Sequence, residues 1–175
     1  MSMATVFQIH LVLGYLPWLL WFSVYAWPRL RSMDMVAAHR AIATLHSFRF
    51  FGLVFIVPGV VGANLPADFA TFAAYGDFAT GLLAMLALLT IRIRPLFWLF
   101  VTGFNVVGAV DIIVDYYHGN AVGLPALAGE LGSTYVIPII YVPLLMITHV
   151  AALYLLLRPR TIGTAGREGQ PLRTG

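Results

Sequence analysis

The sequence predicts an all-α, polytopic integral membrane protein built as a bundle of five transmembrane helices. Hydrophobic residues make up 61% of the 175 positions and charged residues only 10%, and the mean hydropathy is +0.89. A soluble domain of this size could not hide so much apolar surface, so lipid must cover part of it. In addition, five apolar runs alternate with short segments that contain arginine, proline or glycine.

The five expected spans form a single domain at residues 1–160, followed by a disordered tail at 161–175. The spans are residues 4–27, 38–63, 77–93, 96–118 and 135–157. The first run lacks a basic leading segment and a small-residue cleavage pattern, so we interpret it as a retained span. Within it, the helical spacing of His10, Gly14, Pro17 and Trp21 predicts a seam that another helix can approach closely.

The second and third spans have less regular boundaries. Arg49 lies in the first half of the second span, and we expect its side chain to extend toward the headgroups as a membrane-boundary residue. Residues 65–76 are expected to form an interfacial connector. Asp77 would then begin the third span, where a carboxylate favours the helix N-terminus. Asp68 and Glu130 are expected to be solvated loop acids.

The fifth span contains Pro138 and Pro143, which remove helix hydrogen bonds and free carbonyl groups inside the membrane. Such groups are tolerated where other helices, water or an ion satisfy them.

Arginine placement predicts the orientation. With five alternating spans, all the basic residues near span ends fall on one side, which the positive-inside rule makes cytoplasmic. These residues are Arg29, Arg31, Arg40, Arg92, Arg94, Arg158 and Arg160. The N-terminus is then outside and the C-terminus inside, and we expect the protein in a bacterial inner membrane.

The fourth span carries the main candidate site. Asp111, Asp115 and His118 fall within an arc of about 60° at 100° per residue, so they share one helix face. Together with His10 and Asp77, they predict an outer-half pocket that binds a cation, a proton or a substrate. The structural alternative is that these groups hydrogen-bond neighbouring helices or cap helix ends.

Two cofactor hypotheses follow from the same residues. Asp111, Asp115 and His118 are suitable ligands for a divalent metal. A haem b alternative would use His149 with His10 or His46. The expected depths of His46 and His149 differ by about 6 Å in helix rise, which argues against that pair. Without cysteine, thiolate-ligated metals are excluded.

Three functions remain open at this point. The first is cation, metal or proton handling by a small transporter or metal-site protein. The second is a non-catalytic membrane subunit or scaffold. The third is a haem-b electron-transfer protein or oxidoreductase. No catalytic motif stands out, so the residues do not decide whether the protein is an enzyme. The expected partners are the lipid bilayer and a membrane complex or a second copy of the chain, and not nucleic acid.

Overall fold

The computed structural model describes residues 1–158, which fold into five helical rods with no strand. We number the rods α1 (Met3–Ser32), α2 (residues 35–56), α3 (Ala67–Leu89), α4 (Arg94–Ala121) and α5 (Ile137–Leu157). A 3₁₀ helix at Ala128–Tyr135 lies in the connection between α4 and α5. The predicted all-α class is confirmed, and the predicted tail lies outside the described residues.

Within residues 1–158, four helices are long and apolar enough to cross a membrane: α1, α3, α4 and α5. This agrees with a multi-pass membrane protein. The helix α2 differs because it is α-helical over Met35–His46 and then 3₁₀-helical over Ser47–Ile56. The five-span count therefore stays a prediction.

Several helix ends differ from the expected spans. Helix α3 begins at Ala67, so most of the expected connector at 65–76 is helical and its Phe69, Ala70 and Ala73 are buried. Helix α2 ends at Ile56, because Val57 is extended and Gly59 adopts a positive φ of 80° in the following turn. Asp77 is consequently inside α3 and does not begin it.

Two π-helical segments lie just before prolines. Helix α1 continues past residue 27 to Ser32, with a π segment at Phe22–Ala26 just before Pro28. Helix α5 opens with a π segment at Ile137–Tyr141 before Pro143. A proline ring inside a helix collides with the carbonyl four residues earlier, and a wider turn relieves that collision.

The 3₁₀ part of α2 gives this helix a threefold buried face. His46, Arg49, Gly52 and Phe55 are all buried, and residues three apart are aligned in a 3₁₀ helix. Arg49 therefore points into the bundle together with apolar and small residues.

Two apolar clusters lie at opposite ends of the bundle. In the first cluster, the ends of α1, α3 and α5 pack against the starts of α2 and α4. It includes Leu30, Ala38, Ala87, Phe97 and Leu155. The other joins the opposite helix ends and includes Phe7, Phe55, Phe69, Leu124 and Ile137. The rods thus run alternately up and down, and the middle of α2, α3 and α4 lies between the two clusters.

The connection between α2 and α3 is tied to the 3₁₀ helix by Glu130. Its backbone carbonyl accepts a hydrogen bond from Gly62 N at 2.7 Å. Its carboxylate accepts from Asn64 N and Asn64 Nδ2, both at 3.1 Å. Glu130 was expected to be a solvated loop acid; it instead lies in the 3₁₀ helix, and its partly exposed carboxylate also joins that helix to the connection between α2 and α3. Asp68 is exposed on the first turn of α3.

Candidate functional site: a buried arginine–aspartate cluster

Arg49 is the centre of the site and is only 1% exposed. Its Nε donates to Asp77 Oδ1 at 2.6 Å, and its Nη2 donates to Asp111 Oδ2 at 2.6 Å. Nη2 also lies within ion-pair distance of Asp77. The expectation that Arg49 extends to the membrane boundary was therefore wrong. We call Arg49, Asp77 and Asp111 the ionic cluster.

Helix length explains why the three residues meet. Asp34 caps α2 by accepting from the backbone N–H groups of Val36 and Ala37, so the helix starts well before Arg49. At 1.5 Å per residue, Arg49 lies about 20 Å along α2, and Asp77 about 15 Å along α3. Asp111 lies about 15 Å before the end of the antiparallel α4. All three thus reach the middle of the bundle.

The other guanidinium nitrogen connects the ionic cluster to His149. Arg49 Nη1 donates to Gly108 O at 3.2 Å and contacts His149 Nε2 at 3.1 Å. Arginine has no acceptor, so Nε2 must accept and the ring proton lies on Nδ1. His149 Nδ1 then donates to Asn105 Oδ1 at 3.0 Å, and Asn105 Nδ2 donates to Val101 O at 2.8 Å. Each donor in this series has an acceptor.

Three glycines make room for the charged side chains. A Cβ at Gly52 would overlap the Asp77 carboxylate, and one at Gly76 would overlap the Asp111 carboxylate. A Cβ at Gly108 would overlap both the Arg49 guanidinium and the His149 ring. Each glycine faces a polar side chain from another helix, so these positions fit the ionic cluster and exclude larger residues.

A third carboxyl group lies next to the ionic cluster. Asp115 is four residues after Asp111 on α4, which places the two on one helix face. Its Oδ1 atom is buried and has no hydrogen-bond partner among the described residues. The site thus contains three carboxyl groups for one guanidinium. Full ionisation of all three would leave two uncompensated negative charges in an apolar setting, which is unfavourable.

A cavity joins Asp115 and Asp77 to the surface. The space open to the centres of water molecules is about 80 Å³. Exposed Gln8 and Asn120 lie at one part of its wall, and Asp77 and Asp115 lie deeper. The remaining wall is mainly aliphatic and aromatic, from all five helices and the connection after α4. The acids can therefore be reached from one end of the bundle.

Comparison with known protein families shows a match over most of the chain. The family DUF8737, described as a domain of unknown function, matches residues 6–157. The chain belongs to DUF8737. The matched region includes every residue of the ionic cluster and the cavity. No curated protein and no solved structure matches the chain.

The structure brings together some of the predicted site residues of this DUF8737 chain. Asp77 and Asp111 share Arg49, and Asp115 borders the same region. His118 instead packs against the rings of Phe69 and Phe72, with centroid distances of 6.0 and 5.9 Å. Within residues 1–158, no group of three or more His, Asp or Glu residues is placed to hold a metal ion. The metal set of Asp111, Asp115 and His118 is therefore not assembled.

His10 lies apart from the acids, on the predicted seam of α1. Its Nδ1 is 3.0 Å from Tyr135 Oη. The seam itself is present: a Cβ at Gly14 would overlap the carbonyl oxygen of Ile139. Trp18 Nε1 donates to Ile140 O at 2.8 Å. The carbonyls of the proline-rich start of α5 are thus contacted by α1, as the sequence led us to expect.

The haem alternative does not fit the imidazoles. The rings of His46 and His149 are in contact, with centroids 3.9 Å apart, so no macrocycle can lie between them. His46 Nε2 pairs with Thr148 Oγ1 at 2.9 Å, and both ring nitrogens of His149 have partners. The depth argument that separated His46 from His149 was wrong, because α2 starts earlier than expected.

Asn105 and Arg49 are the site residues that the sequence did not assign. Asn105 lies off the face of Asp111 on a simple helical projection, yet it is fully buried against His149 of α5. The signal available in the sequence was the set of small residues at Gly52, Gly76 and Gly108, one on each helix that contributes to the ionic cluster.

Proposed function

We propose that this membrane protein binds a proton at Asp77, Asp111 or Asp115, or a small cation between two of these carboxyl groups, and exchanges it with solution through the cavity. One observation carries the proposal: a single guanidinium serves two buried carboxylates, while a third carboxyl group beside them has a buried oxygen with no hydrogen-bond partner in the part of the chain that the structure describes. A bound proton or monovalent cation supplies one of the two positive charges needed to balance the three carboxyl groups.

The energetic argument rests on the cost of unbalanced charge. An ionised Asp at the centre of a membrane helix costs about 2.5–3.5 kcal/mol on insertion scales. Arg49 offsets this cost for one carboxylate, and a second remains even within the ionic cluster. Each proton bound by a carboxyl group, or each monovalent cation bound between two of them, removes one of the two uncompensated negative charges. The cavity provides the route by which that charge enters and leaves.

The proposal includes α2 as a fifth span. Its 12 α-helical and 10 3₁₀-helical residues give a length of about 38 Å, which exceeds a hydrocarbon core of about 30 Å. With five spans, the arginines at residues 29, 31, 40, 92, 94 and 158 lie at one end of the bundle. That end is then cytoplasmic, and the cavity opens to the outside of a bacterial inner membrane.

A scaffold is the second candidate, and it has an observation of its own. Arg49 of α2 contacts α3 through Asp77, α4 through Asp111 and Gly108, and α5 through His149. A single residue that links four helices is well suited to fix their arrangement. If the protein is a scaffold, the acids only stabilise the packing of its helices within a membrane complex.

Thermal unfolding of the purified protein in detergent separates the two candidates. A ligand that binds only the folded state raises its stability by RT ln(1 + [L]/Kd). If the folded protein holds one proton more than the unfolded chain, stability falls as pH rises. If a cation is bound instead, stability at fixed pH rises with sodium, potassium or magnesium but not with choline.

Asp115→Asn should abolish this dependence, and Asp68→Asn on the exposed start of α3 should leave it unchanged. The same pH and cation response in wild type and Asp115→Asn would contradict the proposal and favour the scaffold.

A further inference from the structure

We propose that the cavity is a binding site for a small primary alkylamine in its ammonium form. This inference rests on the proposed function, because the ammonium group would be the cation that balances Asp115 and Asp77. It goes further by assigning the chemical class of the ligand from the shape and lining of the cavity.

The polar end of the cavity is suited to bind a positively charged hydrogen-bond donor. Asp115 and Asp77, of which Asp77 is 6% exposed, both line this space, and Asp115 Oδ1 is buried without a hydrogen-bond partner within residues 1–158. A buried acceptor without a donor is unfavourable. An ammonium group offers three donors and one positive charge, so it can satisfy Asp115 and reduce the excess negative charge at the same time.

The walls of the cavity are suited to contact the apolar part of a ligand. Phe7, Leu11, Phe55, Ile112, Leu131 and Val142 line it, from five different parts of the fold. These six side chains offer no oxygen ligand to a hard cation such as Mg²⁺ or Ca²⁺, so the part of a ligand that lies against them is apolar. An alkyl chain buries its surface against such walls at about 25 cal/mol per Å².

The volume sets the size of the ligand. A cavity needs about 10–15 Å³ to hold one water molecule, and this cavity of about 80 Å³ is several times larger. It therefore has room for several water-sized groups, which corresponds to a short alkyl chain with its nitrogen.

The test is calorimetric titration of the full chain in detergent with n-alkylamines from ethylamine to octylamine at neutral pH. Affinity should increase about three- to fourfold for each added methylene and stop increasing once the chain fills the cavity. The n-alcohol of equal length should bind at least about tenfold more weakly, because it carries no charge for Asp115.

Variants distinguish amine binding in the cavity from amine uptake by the detergent. Asp115→Asn should weaken binding by about tenfold or more, and Asp68→Asn should not change it. Ala73→Val should weaken binding by reducing the space while leaving all acids in place. If Ala73→Val does not fold, Gly119→Ala replaces it; its Cβ would lie 3.3 Å from Leu124 Cδ2 and 3.4 Å from Phe69 Cε2, which are movable side-chain ends.

Two results would overturn the inference. One is equal binding of amines and alcohols, which would identify a merely apolar cavity. The other is amine binding by wild type that Asp115→Asn and the cavity variant leave unchanged. The response of stability to pH and inorganic cations, measured without amine, reports on the proposed function separately. If that response depends on Asp115 and no amine binds, the inference fails and the proposed function stands.

Discussion

Asp77 and Asp111, on neighbouring helices, accept hydrogen bonds from the same guanidinium, each at 2.6 Å. Arg49 places Nε on one carboxylate and Nη2 on the other, while Nη1 remains for Gly108 O and His149. A planar group with several fixed donors makes these contacts at once, and a single ammonium group cannot reproduce the arrangement.

Replacement of Arg49 should therefore be costly even when its charge is kept. Arg49→Lys should lose about 1.5–3 kcal/mol, the worth of a hydrogen bond to a charged group. Arg49→Leu should lose about 3–5 kcal/mol, because it leaves buried carboxylates without a partner. Thermal unfolding in detergent measures both. The matched control is Arg40→Lys at an exposed position of α2, which should change stability by less than about 0.5 kcal/mol. Equal behaviour of Arg49→Lys and Arg40→Lys would refute the pairing.

The glycine positions give a second prediction with a control on the same helix. Gly108→Ala should destabilise the protein by about 1–3 kcal/mol, because its Cβ would overlap Arg49 and His149. Gly103→Ala should be neutral or stabilising by up to about 1 kcal/mol, since its nearest neighbours are side-chain ends of Leu83 at 3.9 and 4.0 Å. Comparing the two unfolding temperatures isolates the packing effect. Similar values for the pair would show that the space around Gly108 is not restricted.

The contact between α1 and the start of α5 gives a third prediction. Trp18→Phe removes the donor to Ile140 O and should cost about 0.5–1.5 kcal/mol. Trp21→Phe, at a position that is 46% exposed, should change stability by less than about 0.5 kcal/mol. Thermal unfolding of both variants is the measurement. A larger loss in Trp21→Phe than in Trp18→Phe would contradict the role given to the Ile140 carbonyl.

The membrane crossing of α2 can be tested by fusing a reporter enzyme that is active only outside the cytoplasm. With five spans, a fusion after Met33 should be inactive and a fusion after Gly59 should be active, because α2 separates the two sites. A fusion after Gly123 should be active as well. Matching activity at Met33 and Gly59 would mean that α2 does not cross the membrane, which would remove the five-span proposal.

Part of this fold could be predicted from apolar runs alone. The helical class, the close approach at Gly14 and the contacted carbonyls near Pro138 and Pro143 all follow from rules about single helices. Asp111 was also expected to face the interior, because its helix face was polar within a long apolar run.

The ionic cluster could not be predicted in the same way, because it depends on where three helices begin. Taking α3 to start at Asp77 made that residue a cap, whereas the actual start at Ala67 places it mid-bundle. Taking the inner boundary of α2 too close to Arg49 made that residue interfacial. The 3₁₀ turn that directs Arg49, Gly52 and Phe55 to one face has a period that an α-helical projection does not show.

The central claim is that the carboxyl groups around Arg49 hold a proton or a cation, and infrared spectroscopy tests it most directly. In cation-free buffer at neutral pH, wild type should show the C=O stretching band of a protonated carboxylic acid. Asp115→Asn should lose or shift that band, whereas Asp68→Asn should retain it. A wild-type spectrum in which every carboxyl group is ionised would contradict the account.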